Sequence, residues 1–369
     1  MKIGIIDADL ISRTKHRFPN LACMKLSAYW QNEGGQVSLL TKYDQDEINS
    51  FDKIFCSKVF TDTIVPDWLL QLPNVMYGGT GFYYDKAEPL PDQIEHCMPD
   101  YHLYDLYVND KIVSGCKRND FKYYLDYSIG FLTRGCFRKC DFCVNKNYNQ
   151  VLIHSPLTEF LDENRRKICL LDDNVLGCSE WQSLLTELQS TGKPFQFKQG
   201  LDERILTDEK CELLFKSKYD GDYIFAFDNI DDKKVIKNKL NLIRQYTNKW
   251  LKFYCLCAYD RNDKYDADFW EQDLFDLFER IKILMDYNCL PYIMRFAKYK
   301  ESPYQKVYTN IARWCNQPSI YKKRSFKQFC IDDDKYFGGQ HKSSSYKSLE
   351  LCEQKLPNLV SEYFDLVCK

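Results

Sequence analysis

What the chain lacks narrows it first. No apolar run in its 369 residues reaches the ~20 needed to cross a bilayer. The opening stretch, Met1 to Asp7, reads as a short strand, not as a charged region followed by a long apolar segment, so export is not expected. No internal repeat of fixed period is present. The net charge of −2 is too small to point to any class of partner. Against these absences stand 17 cysteines and a hydrophobic content of 44%, enough for ordinary globular cores. A cysteine-rich chain without an export signal is expected in the reducing cytoplasm, where thiols bind metal or sit buried. Most of the 17 are expected to be packing residues.

Three cysteines are different. The stretch Thr133-Arg134-Gly135-Cys136-Phe137-Arg138-Lys139-Cys140-Asp141-Phe142-Cys143 sets Cys136, Cys140 and Cys143 in a C-x3-C-x2-C run. A structural zinc site wants four ligands and tends to show a second C-x2-C pair, and none follows. Three thiolates on one loop suit three irons of a 4Fe–4S cluster, which usually takes four. One iron is then left for a non-protein ligand.

This spacing, with aromatic Phe142 before the third cysteine, resembles the signature of the radical S-adenosylmethionine superfamily. The resemblance implies that the open iron binds the amino and carboxylate groups of S-adenosylmethionine, with Asp141-Phe142 near the adenine. It implies an oxygen-sensitive enzyme fed by a small reducing protein of flavodoxin or ferredoxin type. Reductive cleavage would release a 5′-deoxyadenosyl radical, which takes hydrogen from an unidentified substrate. The cofactors carry that chemistry and the protein supplies orientation. No residue of this chain is thereby assigned as catalytic.

The expected fold class is α/β. It comprises an N-terminal Rossmann-like open parallel sheet (1–110), a linker (111–126), a partial (β/α)6 TIM-type barrel (127–300) and a C-terminal helical extension (301–369). In the first region, strands are expected at Lys2–Asp7, Gln36–Leu40, Phe51–Ser57 and Asn74–Tyr77, with a helix from Leu21 to Gln31. Gly78-Gly79-Thr80-Gly81 follows the fourth strand, where it can form an anion cradle or simply a tight turn. Within the superfamily this domain resembles a degenerate cobalamin-binding domain. The cobalt-ligating Asp-x-His-x-x-Gly pattern is replaced by Asp7-Ala8-Asp9-Leu10-Ile11-Ser12, and His16 lies out of that context, so cobalamin is not expected. Methylthiotransferases offer a second resemblance. It would make Cys23, Cys56 and Cys97 ligands of a second cluster; single buried thiols are the alternative. Pro99 to Tyr104, in the irregular connection, is expected either to pack over the active face or to be an ordinary crossover.

From Tyr127 strands and helices alternate. Strands are expected at Tyr127–Leu132, Lys167–Leu171, Phe195–Lys198, Tyr223–Phe227, Leu251–Cys257 and Pro291–Arg295. Helix starts are expected at Ser155-Pro156, Ser179-x-x-Gln182, Thr207 and Asp268-x-x-Glu271. In barrels the chemistry gathers at the carboxyl ends of strands. Those ends supply Asp172, Asp173, Gln199, Asp202, Arg204, Asp228, Tyr259, Asp260 and Arg295. For S-adenosylmethionine, Asp172 or Asp173 can take the ammonium, Arg204 the carboxylate, and Asp228 or Gln199 the ribose hydroxyls. Each can equally be a solvated loop charge or a helix cap. Cys255 and Cys257 share one face of their strand, where they can meet a radical or simply pack.

Between residues 290 and 330 nine basic residues face one acid, Glu301, and aromatic residues interleave with them. That mixture suits an anionic or nucleotide-like substrate or a single-stranded nucleic acid, or else a solvated helical face. Asp332 to Ser348 reads as a loop, and Leu349 to Val367 as a closing helix interrupted at Pro357. Cys315, Cys330, Cys352 and Cys368 are spaced too widely to favour an auxiliary cluster. The reading is a radical S-adenosylmethionine enzyme. Its rivals are a methylthiotransferase-like RNA modification enzyme and a non-catalytic iron–sulfur or nucleotide-binding regulator.

Overall fold

The computed structural model describes residues 1–145, 147–336 and 342–368. The chain divides into two compact units, Met1–Lys198 and Gln199–Lys369.

The first unit opens with four parallel strands: β1 (Lys2–Asp7), β2 (Gln36–Leu40), β3 (Lys53–Ser57) and β4 (Val75–Gly78). Their order is β2-β1-β3-β4, so the chain leaves β1 to one side and returns on the other. The carboxyl ends of β1 and β3 therefore flank a switch point, where open sheets usually bind ligands. β1 is apolar and buried throughout from Ile3. Ile3 and Ile5 pack on the helix Leu21–Asn32 through Cys23 and Leu26, while Ile6, Ile54 and Leu40 form a separate cluster with Ile48 and Leu69. Asn20 caps that helix, accepting from the Cys23 N–H at 3.3 Å.

The same unit contains β5 (Tyr127–Gly130), a short antiparallel pair β6 (Thr133–Arg134) and β7 (Leu152–Ile153), β8 (Lys167–Leu170) and β9 (Phe195–Phe197). β5, β8 and β9 form a three-stranded parallel sheet in that order. Gly130, the last residue of β5, has no room for a side chain, because the Phe160 ring lies where its Cβ would point.

The second unit holds β10 (Ile224–Ala226), β11 (Leu251–Cys257) and β12 (Cys289–Arg295), again parallel and in sequence order. The six strands expected from residue 127 onward are thus present as two three-stranded parallel sheets among the described residues. Pro291 is tolerated because β12 pairs only with β11 among these strands. The 20-residue helix Ala267–Asp286 covers one face, and its Arg280, 2% exposed, donates to the carbonyls of Phe227, Asp228 and Leu256 at 2.8–3.1 Å.

Several local expectations are corrected. Asp266, not Asp268, caps that long helix, accepting from the Phe269 N–H at 2.9 Å. No side-chain cap forms at Ser179; its hydroxyl donates to Glu180 instead, and the helix is Trp181–Ser190. Ser155-Pro156 leads only into a single 3-10 turn, Leu157–Glu159. The acid run read as a loop is helical: Phe326–Tyr336 continues through Asp332, Asp333 and Asp334. Each acid is matched from elsewhere. Arg324 lies 3.4 Å from Asp332, Arg313 lies 3.2 Å from Asp333, and Asp334 accepts from the Ser343 N–H at 2.7 Å. Gly338-Gly339 falls outside the described residues. The closing segment is two helices, Ser344–Lys355 and Pro357–Tyr363. Most of the rings interleaved with the basic stretch are core: Tyr304, Tyr308, Trp314, Tyr321, Phe326 and Phe329 are buried, while Phe296 and Tyr299 are half-buried, and Trp314 donates to the Arg324 carbonyl.

Candidate metal centre

The cysteine loop begins where β5 ends. Thr133-Arg134 pairs with Leu152-Ile153, and the His154 N–H donates to the Leu132 carbonyl at 2.8 Å, closing the neck of the loop. Gly135 turns the chain with a φ of +94°. A Cβ there would lie 2.5 Å from the Gln150 carbonyl oxygen, so only glycine fits. The Cys143 N–H donates to the Cys140 carbonyl at 3.0 Å, folding the C-x2-C segment into a turn. Phe137 packs on Gly177, whose missing side chain leaves room for its ring.

Two adjacent acids just past β8 organise this loop. Asp172, 1% exposed, accepts from the Leu132 N–H (3.2 Å), the Thr133 N–H (2.6 Å) and the Thr133 hydroxyl (2.6 Å). Burial raises its carboxyl to about 6 despite these donors. Asp173 accepts from the Gly135 N–H at 3.0 Å and from the Asn145 amide at 2.6 Å, so one carboxylate ties both ends of the cysteine run. Asn174 completes the trio, with its amide 3.4 Å from the Cys136 sulfur.

Backbone donors point at the sulfurs as well. The Arg138 N–H lies 3.4 Å from the Cys136 sulfur, and the Asn145 N–H lies 3.4 Å from that of Cys143. Such donors favour thiolates and tune the clusters they hold. Cys136, Cys140 and Cys143 are half-buried, whereas Cys23 and Cys56 are fully inside the first sheet's core. Among the described residues no three His, Cys, Asp or Glu side chains converge on a point suited to one metal ion. Ligands of a four-iron cluster each bind a different iron and need not converge.

The loop is held from outside by two contacts. The Tyr84 hydroxyl donates to the Phe142 carbonyl at 3.1 Å, and the Asn147 amide donates to the Asp85 carbonyl at 2.9 Å. At its neck, Arg134 lies over Phe131 and 3.6 Å from Glu95. Burial would raise the Glu95 carboxyl. The hydrogen bonds from His154 and Lys25, with Arg134 nearby, instead hold it at about 2.

The remaining candidates lie in the second unit. Gln199 is exposed. Asp202 caps the 3-10 turn Glu203–Ile205 and pairs with Arg204 at 2.8 Å; Arg204 also meets Asp232 at 3.3 Å. Asp228 accepts from the Leu256 N–H at 2.8 Å, and burial raises its carboxyl. Tyr259 stacks edge-on with Phe296, and Asp260 accepts from the N–H groups of Asn262 and Lys264. Arg295 donates to the Thr309 hydroxyl at 3.0 Å. Cys255 and Cys257 face inward and are buried; burial pushes the Cys255 thiol up to about 12, so it stays protonated. The sequence reading missed Glu203. It is wholly buried and raised by burial to about 8, with one oxygen accepting from the Ala226 N–H at 3.3 Å. Its other oxygen has no hydrogen-bond partner among the described residues. An acid between Asp202 and Arg204 gave no sequence signal of burial. Asn145 and Tyr84 were missed because their partners are 28 and 58 residues away.

At the switch point the first sheet is closed by its own side chains. Asp7 accepts from the Tyr104 hydroxyl at 2.9 Å and the Leu10 N–H at 3.2 Å, and Asn20 donates to Ser57 at 2.9 Å. Asp9 accepts from the Val59 N–H at 2.7 Å and from the Thr63 hydroxyl. His16 turns inward, 3.9 Å from Asp7. The glycine loop after β4 is spent on the protein itself: the Gly81 N–H donates to the Lys58 carbonyl, and a Cβ on Gly79 would lie 2.4 Å from that oxygen. These residues do not fit a cobalamin held through an imidazole.

Comparison with known proteins bears on the fold. No protein-family model matches the chain, and no curated protein matches it. Its fold resembles that of a radical S-adenosylmethionine enzyme of known structure. That protein is the methyltransferase TsrM from Kitasatospora setae, solved with cobalamin and a 4Fe–4S cluster bound. The TM-score is 0.52 and the identity 11%, over 80% of this chain and 74% of that one. No helix among the described residues is long and apolar enough to cross a membrane.

Proposed function

We propose that the chain is a radical S-adenosylmethionine enzyme, with Cys136, Cys140 and Cys143 as the three protein ligands of a 4Fe–4S cluster. One observation carries the reading. The C-x3-C-x2-C loop leaves the end of a parallel strand and is pinned there by Asp172 and Asp173, in a chain whose fold resembles that of a known member of the superfamily. A cluster held there by Cys136, Cys140 and Cys143 would supply one-electron reductive cleavage of S-adenosylmethionine, drawing on a flavodoxin- or ferredoxin-type partner, and so the means of hydrogen abstraction from a substrate. The chain's own residues do the holding. Asp172 fixes the strand exit, Asp173 ties the loop's two ends, and the N–H groups of Arg138 and Asn145 stabilise charge on two sulfurs. The roles expected for Phe142 at the adenine and for Gln199, Arg204 and Asp228 toward the carboxylate and ribose belong to the same proposal, as does a six-stranded partial barrel. Cobalamin is not part of it, because the candidate imidazole is turned into the core.

The test is anaerobic reconstitution with iron and sulfide. The expected result is about four irons per chain and, with dithionite and S-adenosylmethionine, release of 5′-deoxyadenosine that Cys140→Ala abolishes. Zinc in place of iron, or iron unaffected by Cys140→Ala, refutes it. Iron well above four would favour the methylthiotransferase reading. A full cluster without 5′-deoxyadenosine, even with cell extract added as a source of substrate, would favour the regulator.

A further inference from the structure

Beside the cysteine loop the first unit exposes an aromatic shelf that the cluster reading does not use. Tyr77, Tyr83 and Tyr84 are each at least 40% exposed, and Phe60 is 47% exposed. Tyr77 and Tyr83 lie nearly parallel, with an interplanar angle of 9° and ring centroids 6.1 Å apart; Phe82 is 5.0 Å from Tyr77. The shelf is rigid. Its supporting backbone at Gly79 and Gly81 is pressed against Lys58 and Phe60 so closely that no side chain fits at either glycine. Lys58 lies over the Phe82 ring at 4.6 Å and Arg13 over Phe60 at 4.1 Å, fixing two rings from beneath or beside.

Tyr84 adds an independent observation. It is a bulky residue held at φ +50°, ψ −118°, a conformation such residues rarely adopt. Strain of this kind persists only where surrounding contacts impose it, and it gathers at functional sites. Here the contact is with the cysteine motif: the Tyr84 hydroxyl donates to the Phe142 carbonyl. The shelf is therefore registered against the loop proposed to hold the cluster.

The surrounding charge decides what the shelf fits. Arg13, Lys58 and Lys86 are matched by Asp62, Asp85 and Glu88, and Arg13 is paired with Asp62. The adjoining cysteine loop adds Arg138 and Lys139 against Asp141, an excess of one among the described residues. A polyanion needs a longer unbalanced basic track than that. Exposed π faces on a rigid support suit a flat ring. We propose that the tyrosine shelf binds a planar heteroaromatic ring on a small, uncharged substrate and holds it beside the cysteine loop. The inference rests on the cluster reading for what is done to the ring, not for the binding itself.

Saturation-transfer NMR and calorimetry on the full chain, with uridine and indole as planar probes and cyclohexanol as the saturated control, test it. A planar probe is expected to bind at Tyr77 and Tyr83 with little dependence on salt, and cyclohexanol is not. Tyr77→Leu and Tyr83→Leu should each weaken that binding about tenfold, the scale of one lost stacking contact, while Tyr83→Phe retains it. Both positions are exposed, and thermal melting checks that each variant folds. The inference is overturned if neither planar probe binds or if the leucine variants bind as tightly as the parent. It is equally overturned if oligothymidylate or hydroxocobalamin binds in a tyrosine-dependent way where the monomeric rings do not. Iron content, read on the same samples, tests the cluster proposal alone, so the two can fail separately.

Discussion

Two strand ends in the first unit each carry a pair of acids, and they use them in opposite ways. After β1, Asp7 and Asp9 turn into the protein and accept from Tyr104, Thr63 and nearby backbone, sealing the switch point. After β8, Asp172 and Asp173 accept mostly from the backbone of another segment and hold a long loop in shape. Burial raises one acid of each pair, Asp7 to about 7 and Asp172 to about 6. Each pair accepts from both backbone and side chains, and what separates them is where the donors lie. Those of Asp7 and Asp9 come from three separate segments, at Leu10, Val59–Thr63 and Tyr104, and close the end of the sheet. Those of Asp172 and Asp173 all lie in the one segment from Leu132 to Asn145 and shape it as a loop. The fold therefore spends its usual ligand-binding position on stability and moves its candidate chemistry to the second sheet.

The comparison breaks most sharply at Asp172. Asp172→Ala leaves three donors without acceptors in a buried place, at a cost of roughly 3–5 kcal/mol. Denaturant unfolding should show that loss, and reconstituted iron should fall with it. Asp173→Ala should cost about 1–2 kcal/mol, since its donors are partly exposed. Its iron retention should fall by more than its stability does, a ratio that melting and metal analysis on one sample can read.

The third test is pH. Burial raises the Asp7 carboxyl from its ordinary 3.8 to about 7, so the folded state holds the extra proton between those limits. Stability from this group is therefore full at low pH and falls as pH rises toward about 7. Asp7→Asn removes that slope. Thermal melts at about pH 5 and about pH 8 should show the variant gaining on the parent as pH rises. A parallel pair of curves would mean that Asp7 is charged in the fold. The smallest effect is expected at Glu203→Gln, where the amide oxygen still accepts from Ala226 and stability should change by less than about 1 kcal/mol.

The cysteine run was legible because its spacing is local, and the strands because apolar runs and turn signals are local too. Asp172 and Asp173 stood out by position alone. That they meet the N–H groups of residues 132–135 could not be read, since strand-end spacing does not say which backbone lies opposite. The same limit misplaced the acids at 332–334, whose partners Arg313 and Arg324 make a helix tolerable. It also made core rings such as Tyr308 and Trp314 look like a stacking platform. Aromatics beside cations have one pattern in sequence and two in space. The exposed, nearly parallel pair Tyr77 and Tyr83 lies in a segment with no basic excess to draw attention.

Asp173 carries a further consequence. Because one carboxylate joins the beginning and the end of the cysteine run, the protein itself supplies a cross-brace between them. Small metalloproteins often fold only when loaded. On the proposed reading, this brace would let the chain fold first and take up metal as the last event of its maturation. Removing the iron would then lower release of 5′-deoxyadenosine while leaving the melting temperature nearly unchanged.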